Sequence, residues 1–172
     1  MSTPLQTPRP TAQSWVDGGS RGNPGEAGVG VVLDLGDGQR ERHTLYLGRA
    51  TNNEAEYAAL LAALERLAEL GVAEVSVFSD SELLVFQMNG QYKVKANNLR
   101  PLWNAARQLA GSFRRFSMQH IPRLANREAD GLANEAMNSR RSTLPMPRQL
   151  QALRRSATPH RRLHQNRHTV QI

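Results

Sequence analysis

Apolar positions follow two different rhythms along this chain. SWV, GVGVVLDL and RERHTLYLG carry the short buried or alternating patterns of strands, and the turn Gly-Asp-Gly at 36–38 separates the last two. From Tyr57 the period changes. Tyr57, Leu60, Leu61, Leu64, Leu67 and Leu70 recur at three- and four-residue steps, which predicts a long helix with Gly71 as its C-cap. VAEVSVFSD then reads as a strand of alternating valines, and SELLVFQMNG as a short helix stopped by Asn-Gly. KVKANNLRPLWNAARQLAGS supplies a loop and an amphipathic helix, FRRFSMQHIP a last strand and ANREADGLANEAMNS a last helix. The order is β-β-β-α-β-α-α-β-α. A meander followed by alternating strand and helix predicts an α/β fold, a mixed sheet with helices on its faces.

The ends depart from these rhythms. Residues 1–13 hold three prolines and predict a disordered leader, so the domain is expected at 14–138. DGGSRGNPGEAG, after the first strand, reads as a turn-rich loop. Residues 139–172 form an Arg-rich, flexible tail on this reading.

Charge sharpens that division. The chain of 172 residues has a net charge of +7, with 22 Lys and Arg against 15 Asp and Glu. Eight of the arginines and none of the acids lie from Asn138 onward, leaving 14 basic against 15 acidic residues in 1–137. The basicity is an appendage to a near-neutral domain. It suits an arm that binds nucleic acid non-specifically, or a merely solubilising end. Cysteine is absent, which excludes disulfides, thiolate metal sites and cysteine nucleophiles. No apolar run approaches the roughly 18 residues of a membrane span, and MSTPLQTPRPTAQS has no export-type apolar stretch. A cytoplasmic protein without membrane partners is the expectation, with a monomer as the simplest state.

Four acids occupy unusual places. Asp17 closes the first strand in WVDGG and Asp80 the fourth in VFSDS, where ligands gather in α/β sheets. Glu56 lies at the start of the long helix and Asp130 near the start of the last. Singly, each has a structural explanation as a cap or a helix-dipole partner; Ser79, Asp80 or Ser81 can each cap SELLVFQM. Clustered carboxylates without cysteine are hard oxygen ligands, suited to Mg²⁺ or Mn²⁺ rather than zinc.

DGGSRGNPG, TNNEAEY, SVFSDSELLVFQMNGQYKVK and NREADGLANEAM, in this order, resemble the ribonuclease H family, type 1, over residues 14–138. The resemblance implies a five-stranded mixed sheet of order 3-2-1-4-5. It also implies hydrolysis of the RNA strand of an RNA–DNA hybrid, leaving 3′-hydroxyl and 5′-phosphate ends. Asp17, Glu56, Asp80 and Asp130 would be catalytic residues and ligands of two divalent ions about 3.5–4 Å apart. The family motif is Asn-Asn, two variable residues, then Glu, which selects Glu56. Helical geometry agrees that Glu54 cannot share its role, because residues two apart point roughly 200° from each other. Glu54 is then expected at the exposed surface as a dipole partner.

By the same resemblance Gly18, Gly19 and Ser20 lie against the RNA sugars, and Asn52 and Asn53 read the minor groove of the hybrid. The amide donor and acceptor suit a 2′-hydroxyl and a base edge; capping the helix is the structural alternative. Two family features are missing. The His-containing loop before the last acid is absent, since the strand passes directly through HIPRLANREAD, as in the short archaeal-like form. Arg123 stands there as a phosphate contact, and His120 reads as structural. The lysine-rich protrusion is reduced to Lys93 and Lys95, and Trp103 either lines that region or belongs to the core. Two other readings share the fold: a binding module without catalysis, and a nuclease for another nucleic acid. The four acids oppose the first, and the Asn pair and Gly-Gly-Ser stretch oppose the second.

Overall fold

The computed structural model describes residues 11–151. Five strands form one sheet in the order β3-β2-β1-β4-β5, as the resemblance implies. β1 (Thr11–Gly22), β2 (Gly25–Asp34) and β3 (Arg40–Ala50) make an antiparallel meander. β4 (Glu74–Ser79) and β5 (Arg115–His120) add in parallel on the other side of β1. The helices are α1 (Asn52–Glu69), α2 (Glu82–Met88), α3 (Arg100–Gly111) and α4 (Arg127–Ser139), the last preceded by a 3₁₀ turn at Arg123–Asn126.

The main core lies between the sheet and α1, which is buried almost all round from Ala55 to Leu64 and again at Leu67. Alanine dominates this helix, so it lies close to its neighbours, with α3 packed beyond it. A smaller cluster of Val32, Ala129 and Leu132, with Trp15 against it, seats α4. Glycines set that separation: a Cβ at Gly30 would lie 2.0 Å from Ala129 O, and one at Gly28 2.7 Å from Ala133 O. Among the described residues no helix is long and apolar enough to cross a membrane.

The boundaries at both ends differ from the sequence expectation. Thr11–Gln13, assigned to the leader, pair with Glu74–Ser76 of β4. DGGSRG is strand rather than loop, since β1 pairs with β2 through Gly22↔Gly25 around a cis Asn23–Pro24 bond. Glycines give no side-chain alternation to read, which hid this stretch of strand. The tail does not begin at 139 as a free arm either. Its first dozen residues strap the fold: Thr143 N–H donates to Thr44 O at 2.8 Å and Tyr46 N–H to Ser142 Oγ at 2.8 Å. Leu144 and Leu150 are buried. The strap covers the free edge of β3, an edge that otherwise invites foreign strands. The remaining tail, with His160, His164 and His168, lies outside the described residues, as does 1–10 of the leader.

Candidate active site

The site begins where two parallel strands part. β1 and β4 pair as far as Trp15↔Phe78, whose rings stack 5.3 Å apart. β4 then ends at Ser79, while β1 continues for several residues. Asp17 therefore does not close its strand; it sits where the neighbour has ended, opposite Asp80.

α1 supplies the third acid. Thr51 is its N-cap, with Oγ1 accepting from Glu54 N at 3.1 Å, while Glu54 Oε1 accepts from Thr51 N at 2.8 Å. This reciprocal capping box engages Glu54, so it is a half-buried structural residue rather than a purely surface one. Capping by Thr51 also leaves the side chains of Asn52 and Asn53 exposed. Glu56 lies two residues beyond Glu54 and is buried. Ser81, not Asp80, caps α2, its Oγ accepting from Leu84 N at 3.2 Å, which leaves the Asp80 carboxylate to the cleft.

Carboxylate oxygens of Asp17, Glu56 and Asp80 all lie within 4.8 Å of one another. Asp130, on the first turn of α4, interacts with Asp17 and lines the same cleft of about 380 Å³. Gly18, Gly19, Ser20, Asn52 and Arg123 line it too. Gly18 is there by necessity: a Cβ would lie 2.2 Å from Ala55 O, and its N–H donates to Glu56 Oε2 at 3.2 Å. The Ser20 hydroxyl points inward, donating to Ala50 O at 2.9 Å.

The electrostatics are those of crowded, partly desolvated acids. Burial, reinforced by Asp80 and Asp130, pushes Asp17 up to about 8. Burial and then the charges of Asp17 and Asp80 raise Glu56 well above the ordinary carboxylate range, against the Gly18 N–H and Arg123, which lower it. Three clustered oxygen donors, of which Asp17 and Glu56 are held toward the protonated form by burial and neighbouring charge, fit a hard divalent cation, whose charge reverses the penalty.

His120, Trp103, Lys93 and Lys95, also named from sequence, do not line the cleft. His120 Nε2 contacts Asp80 O at 3.3 Å, and because a carbonyl only accepts, the ring donates. Trp103 is half-buried, its Nε1 donating to Gln87 O at 3.1 Å. Lys93 and Lys95 are exposed. Sequence reasoning passed over Asn126, which is buried behind the cleft. An Asn just before a helix reads as an N-cap, but this side chain makes no cap bond and turns inward.

A family model described as reverse transcriptase-like matches residues 15–136. Solved type 1 ribonucleases H are similar to about three quarters of this chain at 41–44% identity. Ribonuclease H1 of Halobacterium salinarum is 43% identical, covering 75% of this chain and 98% of its own at a TM-score of 0.72. The chain belongs to the type 1 ribonuclease H family. LC11-RNase H1, isolated from compost by a metagenomic approach and solved in complex with an RNA/DNA hybrid, is 41% identical. That match covers 75% of this chain and 98% of LC11 at a TM-score of 0.70. Among curated ribonuclease H relatives, the bifunctional protein Rv2228c of Mycobacterium tuberculosis is 46% identical over 125 residues, 72% of this chain. The chain spans 34% of the length of Rv2228c and 63% of the Halobacterium ribonuclease HI.

Proposed function

We propose that this protein is a metal-dependent endoribonuclease that hydrolyses the RNA strand of RNA–DNA hybrids. The observation that carries the reading is the convergence of Asp17, Glu56 and Asp80 from three separate elements to within 4.8 Å. The crystallised hybrid complex of LC11-RNase H1 supports the substrate class.

Asp17, Glu56, Asp80 and Asp130 would hold the metal, Mg²⁺ or Mn²⁺, as a pair of ions. When bound, such ions supply the Lewis acidity that phosphodiester hydrolysis needs. The protein's own part is to orient. Gly18 seats α1 against β1 so that Glu56 reaches the strand end. The exposed amides of Asn52 and Asn53 present donors and acceptors to the hybrid minor groove, and the backbone at Gly18, Gly19 and Ser20 leaves room for a ribose. Arg123, exposed at the mouth of the cleft, meets phosphate. The arginines beyond Gln151 tether the polyanion, and the enzyme acts as a cytoplasmic monomer.

A labelled RNA–DNA hybrid, incubated with Mg²⁺ or Mn²⁺ beside double-stranded DNA and double-stranded RNA of the same sequence, tests this. Cleavage of the hybrid's RNA strand is expected. Asp17→Asn and Glu56→Gln should each remove about 3 kcal/mol or more of transition-state stabilisation, over about 100-fold in rate. Undiminished cleavage by both variants would refute the site.

A further inference from the structure

One buried polar side chain behind the cleft has no part in the roles above. Asn126 ends the 3₁₀ turn and is 1% exposed. Its Nδ2 donates to Val16 O at 2.9 Å and to Asp80 Oδ1 at 3.3 Å. Both partners are acceptors, so the orientation of the amide is fixed with its NH₂ toward them. Its Oδ1 is buried with no hydrogen-bond partner among the described residues. Leaving such an acceptor unpaired costs about 1–3 kcal/mol. An apolar residue would fill the space without that penalty, so the two amide protons are what the position requires.

Those protons bridge the parting strands. Val16 is the last residue of β1 before Asp17, and Asp80 follows the last residue of β4. We infer that Asn126 is a positioning residue for the metal site: it ties the Asp80 carboxylate to the β1 main chain and so fixes its distance from Asp17. The inference rests on the reading of these carboxylates as metal ligands. The same short turn leads into α4, whose Asp130 follows four residues later, so one segment orients two of the four acids.

Mn²⁺ binding to the full-length protein, followed by calorimetry and by the electron paramagnetic resonance of free Mn²⁺, tests it. Asn126→Ala should weaken Mn²⁺ binding by about 10–100-fold. KM for the hybrid should hold, and kcat should recover as Mn²⁺ is raised. Asn126→Ser, which keeps one donor in a smaller side chain, should fall between wild type and Asn126→Ala. It also carries the test if the alanine variant does not fold. In an Asp80→Asn background, removing the Asn126 amide should bring no further loss, since the two act as one unit. Wild-type Mn²⁺ affinity in a folded Asn126 variant, or losses that simply add to that of Asp80→Asn, would overturn the inference. If the wild-type protein binds no Mn²⁺, the metal-site reading itself fails, and the role of Asn126 falls with it.

Discussion

The Gly18 N–H donates to Glu56 Oε2 across a contact too close to admit a Cβ, which would lie 2.2 Å from Ala55 O. One glycine thus sets both the approach of α1 to β1 and the direction of a buried carboxylate. Gly19, one residue on, meets nothing nearer than the Met137 Cε at 3.6 Å. Gly18→Ala should therefore abolish hybrid cleavage and lower stability by about 1–3 kcal/mol. Gly19→Ala should fold normally. Urea unfolding and cleavage assays on the pair separate the two; equal behaviour would contradict the close approach.

Without divalent ions the acidic cluster should make the protein less stable as pH rises. Asp17 ordinarily titrates at 3.8 but in the fold at about 8. The folded state therefore keeps its proton more tightly than the unfolded chain, and stability falls progressively across that window. Asp17→Asn should remove part of this slope. Relieving even one pH unit of mutual raising is worth about 1.4 kcal/mol, or about 3–5 °C in Tm for a domain of this size. Thermal melts in EDTA between pH 4 and 8 check it, and Mg²⁺ should flatten the wild-type slope.

A second carboxylate titrates in the opposite sense. Glu41 on β3 accepts from Arg66 Nε at 2.8 Å and Nη2 at 2.9 Å, and from His43 Nε2 at 2.7 Å. The Arg66 guanidinium, with His43 assisting, holds Glu41 down at about 2 against an ordinary 4.5. The stabilisation is complete above 4.5 and is lost as pH falls toward 2. Glu41→Gln should lower stability at neutral pH by about 1–2 kcal/mol after solvent screening. It should also flatten the limb of the acid unfolding curve between those values.

The strap divides the tail into two experiments. Leu144→Ala or Leu150→Ala should cost about 2 kcal/mol in urea unfolding while leaving kcat unchanged. Ending the chain at Gln151 removes five arginines, Arg154, Arg155, Arg161, Arg162 and Arg167, and keeps the strap. That truncation should raise KM for the hybrid at low salt and make its dependence on salt shallower. A KM that is unchanged at low and high salt would assign those arginines no part in binding.

The sequence announces the elements that bury side chains at regular intervals. The leucines of α1 and the valines of β4 are legible because packing imposes a period on them. Gly18, Gly19 and Gly22 carry no such record, so from sequence alone the extension of β1 past Asp17 reads as a loop. Leu144 and Leu150 are hidden for a related reason: two apolar residues within an Arg- and Pro-containing stretch make no pattern until the folded core is there to receive them. The acids stand out by position and motif; the family motif selects Glu56 over Glu54, and the phase of α1 keeps the two from sharing a role. Thr51 as the N-cap is not legible in the sequence, because Asn52 and Asn53 are equally good caps by residue type. Asn126 was invisible, since its partners, Val16 and Asp80, are 110 and 46 residues away in sequence.

The parting of β1 and β4 leaves main-chain groups that would otherwise bond across the seam. At that seam the Val16 carbonyl is claimed by the Asn126 amide, while Ser79 O is taken on the far side of β4 by the Ile121 N–H at 2.9 Å. The tear in the sheet is thus hemmed by the segment that follows β5. A sheet opened this way does not need a ligand to hold its lips apart. The spacing of the strand ends is held by the protein's own buried groups, with the Asn126 side chain among them.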